Sequence, residues 1–206
     1  MAGRSLSDLE ALLTYSWRRQ VAAELHRLRP GSERTTTTIG FADLVDFTRL
    51  SRQLSDGELT ALVSRFEERS GNVITAHGGR LIKSLGDEVL FVADAPRAAA
   101  DIALHFVENV RRRNIPGIRV GLEYGPVITH GGDIYGDTVN LASRLTQVAQ
   151  PNHILVGPQL AAVLAVLPEF DVESVGMTEV RGFGLIEPAA LRRPGTRRTK
   201  GTPAQI

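Results

Sequence analysis

The chain has 206 residues, 42% of them hydrophobic, enough for one sizeable core and near the upper size of a single domain. Its 24 Lys and Arg balance 23 Asp and Glu to a net charge of +1, which gives no strong field to attract nucleic acid or an anionic membrane. The absence of cysteine excludes disulfides, thiolate zinc sites and cysteine nucleophiles and suits a cytoplasmic protein, and no uncharged run reaches membrane-spanning length.

Leu6, Leu9, Leu13, Trp17, Val21, Leu25 and Leu28 recur at steps of three and four, the mark of an amphipathic helix. Ser7-Asp8-Leu9-Glu10 reads as its capping box and Pro30-Gly31 as its stop. Such a helix either covers the core of the following domain or carries a dimerising signal. Gly31 to Thr35 reads as a linker, which favours the second role and makes residues 1–34 the end of a regulatory segment. Any link to a membrane must then come from sequence outside this chain.

A β-branched and apolar run predicts a strand over Thr36–Val45, and helical spacing extends from Ser55 to His77. Arg80–Leu85 and Glu88–Ala93 read as a hairpin with Asp87 at its tip. A helix is expected over Pro96–Arg113. Ile118–Tyr124 and Val127–His130 are expected to form a second hairpin turning at Gly125-Pro126, followed by a helix from about Thr138 to Ala149. Asp137-Thr138 reads as an ordinary N-cap. Ile154–Val156 and Phe170–Val175 are expected as outer strands. This order argues for an α+β domain over residues 35–191 with a mostly antiparallel sheet, not a doubly wound parallel one. Residues 192–206 hold five basic residues, no acids and two prolines, and read as a flexible solvated tail.

Gly78-Gly79-Arg80-Leu81-Ile82-Lys83-Ser84 lacks the glycine before the lysine that a P-loop needs, and it enters a strand instead of a helix. There is no Gly-x-Ser-x-Gly elbow and no His-Glu-x-x-His helix, and the five histidines are scattered without ligand spacing. What remains are polar residues at element ends. Asp43 and Asp87 each stand where an apolar run breaks off; ionised side by side, two carboxylates imply a bound positive charge. Alone, either would more often be a turn residue. Asn140 and Arg144, four apart, share a helix face and can grip one ligand.

Together, Phe41-Ala42-Asp43-Leu44-Val45-Asp46-Phe47-Thr48, Lys83-Ser84-Leu85-Gly86-Asp87-Glu88, Ile118-Arg119-Val120-Gly121 and Asp133 through Arg144 resemble a class III nucleotidyl cyclase catalytic domain. The resemblance runs from about Thr36 to Leu191 and is strongest to compact actinobacterial adenylate cyclases; Trp17-Arg18-Arg19-Gln20 is similar to the linker found there. It implies a ferredoxin-like, palm-like sheet flanked by helices. It also implies conversion of ATP to 3′,5′-cyclic AMP and pyrophosphate, with two Mg2+ or Mn2+ ions per site on Asp43, Asp87 and the carbonyl of Leu44. Phe47 and Thr48 would meet terminal phosphate oxygens, and Arg119 and Arg181 would add positive charge around the triphosphate. At the last position the family usually carries a lysine, which an arginine does not replace automatically.

Asn140 and Arg144 match the family's transition-state pair, one orienting the ribose and the other meeting charge on the α-phosphate. Lys83 can donate to adenine and Asp133 can accept from it, whereas guanylate cyclases carry an acid where Lys83 stands. On an extended strand Lys83 and Asp87 are about 13 Å apart, too far to converge on one small site. The resemblance resolves this by sharing each site across a homodimer. The alternatives are a catalytically silent nucleotide-binding regulator and a guanylate cyclase.

Overall fold

The computed structural model describes residues 33–113 and 117–195. The expected leading helix, with its capping box and its stop, lies outside them. Among the described residues no helix is long and apolar enough to cross a membrane.

Strand β1 (Glu33–Leu44) is built from the β-branched Thr35–Ile39 run, and it is an interior strand of an eight-stranded sheet. Around it lie β2 (Arg80–Leu85), β3 (Glu88–Ala93), β4 (Ile118–His130), β6 (Ile154–Val156), β7 (Asp171–Ser174) and β10 (Ala189–Arg192), in the order β2-β3-β1-β4-β6-β10-β7. β5 (Asp133–Tyr135) pairs with β4, and β8 (Thr178–Val180) with β9 (Gly184–Ile186) forms a separate ribbon. All pairings are antiparallel except β4 with β6. The α+β architecture with a mostly antiparallel sheet is therefore as expected.

The strand period of two gives each face of the sheet its own apolar set. Ala42, Phe91, Val120 and Leu122 meet Ile74 of α2 (Asp56–Ala76), Ile102 and Phe106 of α3 (Pro96–Arg113) and Leu160 and Leu164 of α5 (Pro158–Leu164). On the other face Ile39, Phe41, Leu90 and Val92 meet Val127, Ile134 and, from α4 (Asp137–Val148), Val139 and Ala142. A methyl group at Gly121 would strike the backbone of Ala142 and Thr146, so glycine there lets α4 lie close on β4. Ser55 caps α2 through a reciprocal box with Glu58, which local sequence alone specifies.

Five expectations are corrected. Glu33, Arg34 and Thr35 are not linker: they pair with Thr129, Ile128 and Val127, because β4 is long enough to partner them. The hairpin expected at Gly125-Pro126 does not exist; β4 runs unbroken for 13 residues. Pro126 is tolerated because its carbonyl accepts from Thr138 Oγ1 at 2.8 Å, so its polar groups face away from β1. The real turn is Gly131-Gly132, where φ values of 60° and 84° suit a two-residue hairpin and return the chain as β5. Thr138 is thus a clasp on β4, and the N-cap of α4 is Gly136. β6 is not an outer strand but lies between β4 and β10. Finally, Arg192 and Arg193 are not solvated tail: Arg192 bonds Glu173 at 3.0 Å, and Arg193 reaches Asp101 at 3.0 Å and Glu108 at 3.6 Å on α3.

Candidate active site

Asp43 is the penultimate residue of β1, and the antiparallel register sets Glu88 on one side of it and Arg119 on the other. Asp87 occupies the two-residue turn between β2 and β3. Its carbonyl accepts from Leu44 N at 3.0 Å, pinning that turn to the end of β1 and bringing the two aspartates together. Beyond Leu44 the chain is held by Val45 N donating to Gly117 O at 2.7 Å. It then turns through Asp46, in the left-handed region at φ 59°, into the short helix α1 (Phe47–Ser51). The residues of this helix beyond Thr48 were not read as functional from the sequence.

These elements enclose a cleft of about 550 Å³. Asp43, Leu44, Asp87 and Arg119 line it from the sheet, and Asp46, Phe47, Thr48, Arg49 and Arg52 from α1 and its flanks. Arg119 Nη2 donates to Asp43 Oδ2 at 3.0 Å, while its Nε is buried without a partner. Burial is the largest influence on Asp43 and pushes its pKa up; Arg119 opposes this, and the charge and hydrogen bond of Asp87 add to it, leaving about 6. Glu88 is also pushed up, first by burial and then by Asp43 and Asp87, with Lys83 pulling the other way. A carboxylate cluster that burial and mutual repulsion drive toward protonation is one that a cation would relieve.

The donor set fits hard divalent cations: two carboxylates and a backbone carbonyl, all oxygen. Among the described residues no group of three His, Cys, Asp or Glu is placed to hold a metal ion. Two carboxylates leave most of an oxygen shell open, which oxygens of a phosphate substrate would fill.

The remaining expected residues lie outside this cleft. Lys83 Nζ sits 2.8 and 3.0 Å from the two carboxylate oxygens of Asp133, whose Oδ1 also accepts from Ile134 N at 2.9 Å. Asn140 is exposed one turn before Arg144 on α4, and Arg144 Nη1 donates to Gln147 Oε1 at 2.9 Å. Arg181 is exposed in the β8–β9 turn. That ribbon packs on α4 through Ile186, near Leu141 and Leu145, and so stands on the side of Asn140 and Arg144. The cleft of one chain thus holds acid and arginine, and Lys83, Asp133, Asn140 and Arg144 are not among its lining residues.

Arg49, Arg52, Asp46 and Glu88 were missed by sequence reasoning. A signal existed for the two arginines, which stand three apart immediately after Phe47-Thr48 and therefore share a helix face. For Glu88 the signal was its place opposite Asp43, which only strand register reveals.

A family model described as the adenylate and guanylate cyclase catalytic domain matches residues 31–192. An adenylate cyclase of Streptomyces coelicolor is 39% identical over 91% of this chain and 58% of its own length. One of Glutamicibacter nicotianae is 38% identical over 89% of this chain and 50% of its own. The chain therefore spans about half the length of these curated relatives. Among solved structures, the catalytic core of a rhodopsin-guanylyl cyclase with converted specificity, in complex with ATPalphaS, superposes with a TM-score of 0.73 at 23% identity. That match covers 79% of this chain and 99% of that one, and it speaks to the fold.

Proposed function

This chain belongs to the adenylate and guanylate cyclase catalytic domain family, and on that premise we propose that it converts ATP to 3′,5′-cyclic AMP and pyrophosphate. The ribose 3′-oxygen gives up its proton and bonds to the α-phosphorus as the bond from that phosphorus to the pyrophosphate oxygen breaks. Asp43, Asp87 and the Leu44 carbonyl would hold two Mg2+ or Mn2+ ions, which when bound supply charge neutralisation and a lowered pKa for the attacking hydroxyl. Arg119, with Phe47 and Thr48, binds the triphosphate in the cleft; Asn140 orients the ribose and Arg144 meets charge building on the α-phosphate. Arg181 adds charge near the phosphates. These side chains place donors where charge develops.

The observation that carries the reading is that Lys83, Asp133, Asn140 and Arg144 do not line the cleft that Asp43, Asp87 and Arg119 line. A homodimer supplies both halves to each of two equivalent sites, as two-fold symmetry requires. ATP is favoured over GTP because a lysine bonded to an aspartate offers one donor and one acceptor to adenine's pairing edge. The leading segment, residues 1–34, then transmits a regulatory signal by changing subunit orientation, and the cytoplasm is where this chemistry proceeds.

Mixing two inactive variants, Asp43→Ala and Asn140→Ala, tests the arrangement. Mixed dimers regain one intact site, so cyclic AMP formation with Mn2+ and ATP returns to a fraction of the parent rate. Heterodimers that form and stay silent would refute sharing. Cyclic GMP made from GTP in preference would refute the choice of base, and no cyclic nucleotide from the parent protein at any concentration would point to a silent regulator.

A further inference from the structure

Arg119 is not placed like an arginine at its final partner. A guanidinium satisfied for structural reasons usually meets a carboxylate with two parallel bonds. Here a single bond, Nη2 to Asp43 Oδ2 at 3.0 Å, holds the head group, and Nε is buried with nothing to donate to. A buried unpaired donor is destabilising, so this arrangement leaves stabilisation unused. The head group also lines the cleft that Asp43 and Asp87 line. It therefore occupies, against Asp43, a place where a divalent cation would compete with it.

We propose that Arg119 is the resident cation of Asp43 in the metal-free chain, and that a divalent cation displaces it and frees the guanidinium for phosphate oxygens. The inference rests on the reading of Asp43 and Asp87 as metal ligands. Two like charges do not crowd one carboxylate oxygen, so arrival of the metal and departure of the arginine are one exchange. The freed head group has donors to spare, including Nε, and triphosphate oxygens are acceptors of matching shape. Metal without nucleotide must therefore bind against Arg119, whereas metal with nucleotide binds with its help. This opposition is a sign difference that a merely structural arginine does not produce.

The test counts free Mn2+ by electron paramagnetic resonance in titrations of the dimer, first alone and then with 3′-deoxy-ATP, which cannot cyclise. Arg119→Gln is expected to bind Mn2+ alone roughly two- to five-fold more tightly, the scale of releasing one partly exposed ion pair. The same variant is expected to bind 3′-deoxy-ATP with Mn2+ more weakly than the parent. Arg119→Lys keeps the charge and is expected to keep the parent's affinity for Mn2+ alone. Parental or weaker Mn2+ affinity in a folded Arg119→Gln, or equal tightening in the glutamine and lysine variants, would overturn the exchange. The unsubstituted protein gives a second reading that needs no variant to fold: the Arg119 Nε–H resonance must move on adding Mg2+, and an unmoved resonance at saturating Mg2+ overturns the exchange equally. Asp43→Asn is expected to lose Mn2+ binding. If it binds Mn2+ as the parent does, the assignment of Asp43 as a ligand fails along with the exchange, an outcome distinct from failure of the exchange alone.

Discussion

Lys83 and Asp133 are bonded at 2.8 Å although the strand ladder would hold them far apart in a flat sheet. Lys83 lies in the row Leu90, Phe41, Gly121, while Asp133 pairs with His130, nine residues further along β4. At 3.3 Å per residue that is on the order of 30 Å. The contact requires the β4–β5 end to coil back over the face that carries α4, as the packing of Val127 and Ile134 on Phe41 and Leu90 also shows.

Lys83→Glu sets a second carboxylate against Asp133 and reverses the hydrogen-bond polarity offered to the base. The expected outcome is a fall in the ATP-over-GTP ratio of kcat/KM by about 10², since unpaired buried polar groups are rejected strongly. Initial rates with both nucleotides measure it. An unchanged ratio would remove Lys83 from base recognition.

Arg144→Ala is expected to lower kcat by about 10²–10³ with KM for ATP changed little, the signature of an interaction made mainly in the transition state. Arg144 donates a hydrogen bond to Gln147 of its own helix, so its loss breaks a local pairing and not one that joins two elements. A variant that raises KM and spares kcat would reassign Arg144 to ground-state binding.

Asp43 makes stability depend on pH in a definite direction. Its folded pKa of about 6 lies above the ordinary 3.8, so folding favours its protonated form. That contribution is complete below about 3.8 and is lost as pH rises through about 6. Asp43→Asn keeps a neutral side chain at all pH values. In EDTA its melting temperature should match the parent near pH 4 and exceed it at pH 7, by on the order of 2–4 °C. A difference constant with pH would remove Asp43 as its source.

What the sequence disclosed was mostly local. The helical spacing after Ser55, the Gly86-Asp87 turn and the span of α3 are each written in local sequence, and they stand where expected. Gly125-Pro126 misled because a turn dipeptide says nothing about neighbours: β1 runs alongside it and holds the strand straight. β6, three buried apolar residues, gave no clue to its central place, which depends on its parallel pairing with β4. Short pieces such as β5, β8, β9, β10 and α5 carry too little periodicity to stand out. Within the site, Asp43, Asp87, Lys83 and Asp133 were nameable from motif. The bond from Arg119 to Asp43 was not, since 76 positions separate them and only the β1–β4 register unites them.

Gly157 and Glu123 give a prediction about stability alone. Glu123 is 3% exposed, and its carboxylate accepts from Tyr124 N at 2.7 Å and from Leu160 N at 3.0 Å, so a strand residue caps α5 in place of a local side chain. A methyl group at Gly157 would overlap Glu123 Oε2. Gly157→Ala should cost about 1–3 kcal/mol by overpacking. Glu123→Ala should cost a similar amount by leaving buried amides unpaired. Chemical denaturation measures both, and a loss under 0.5 kcal/mol, taken as roughly the surface-substitution range, would sink the cap.

β2 is a free edge of the sheet, and edges are templates on which other chains can stack. Two features spoil this one: an irregularity of register between Leu81 and Lys83, and the cationic head of Lys83 itself. Leu85, further along the same strand, is 63% exposed and would be attractive to a stray strand. Lys83, proposed above to read the base, is thus also placed as a guard against aggregation. Replacing it with an apolar residue should shorten the life of the protein in solution, and activity lost that way would have nothing to do with adenine.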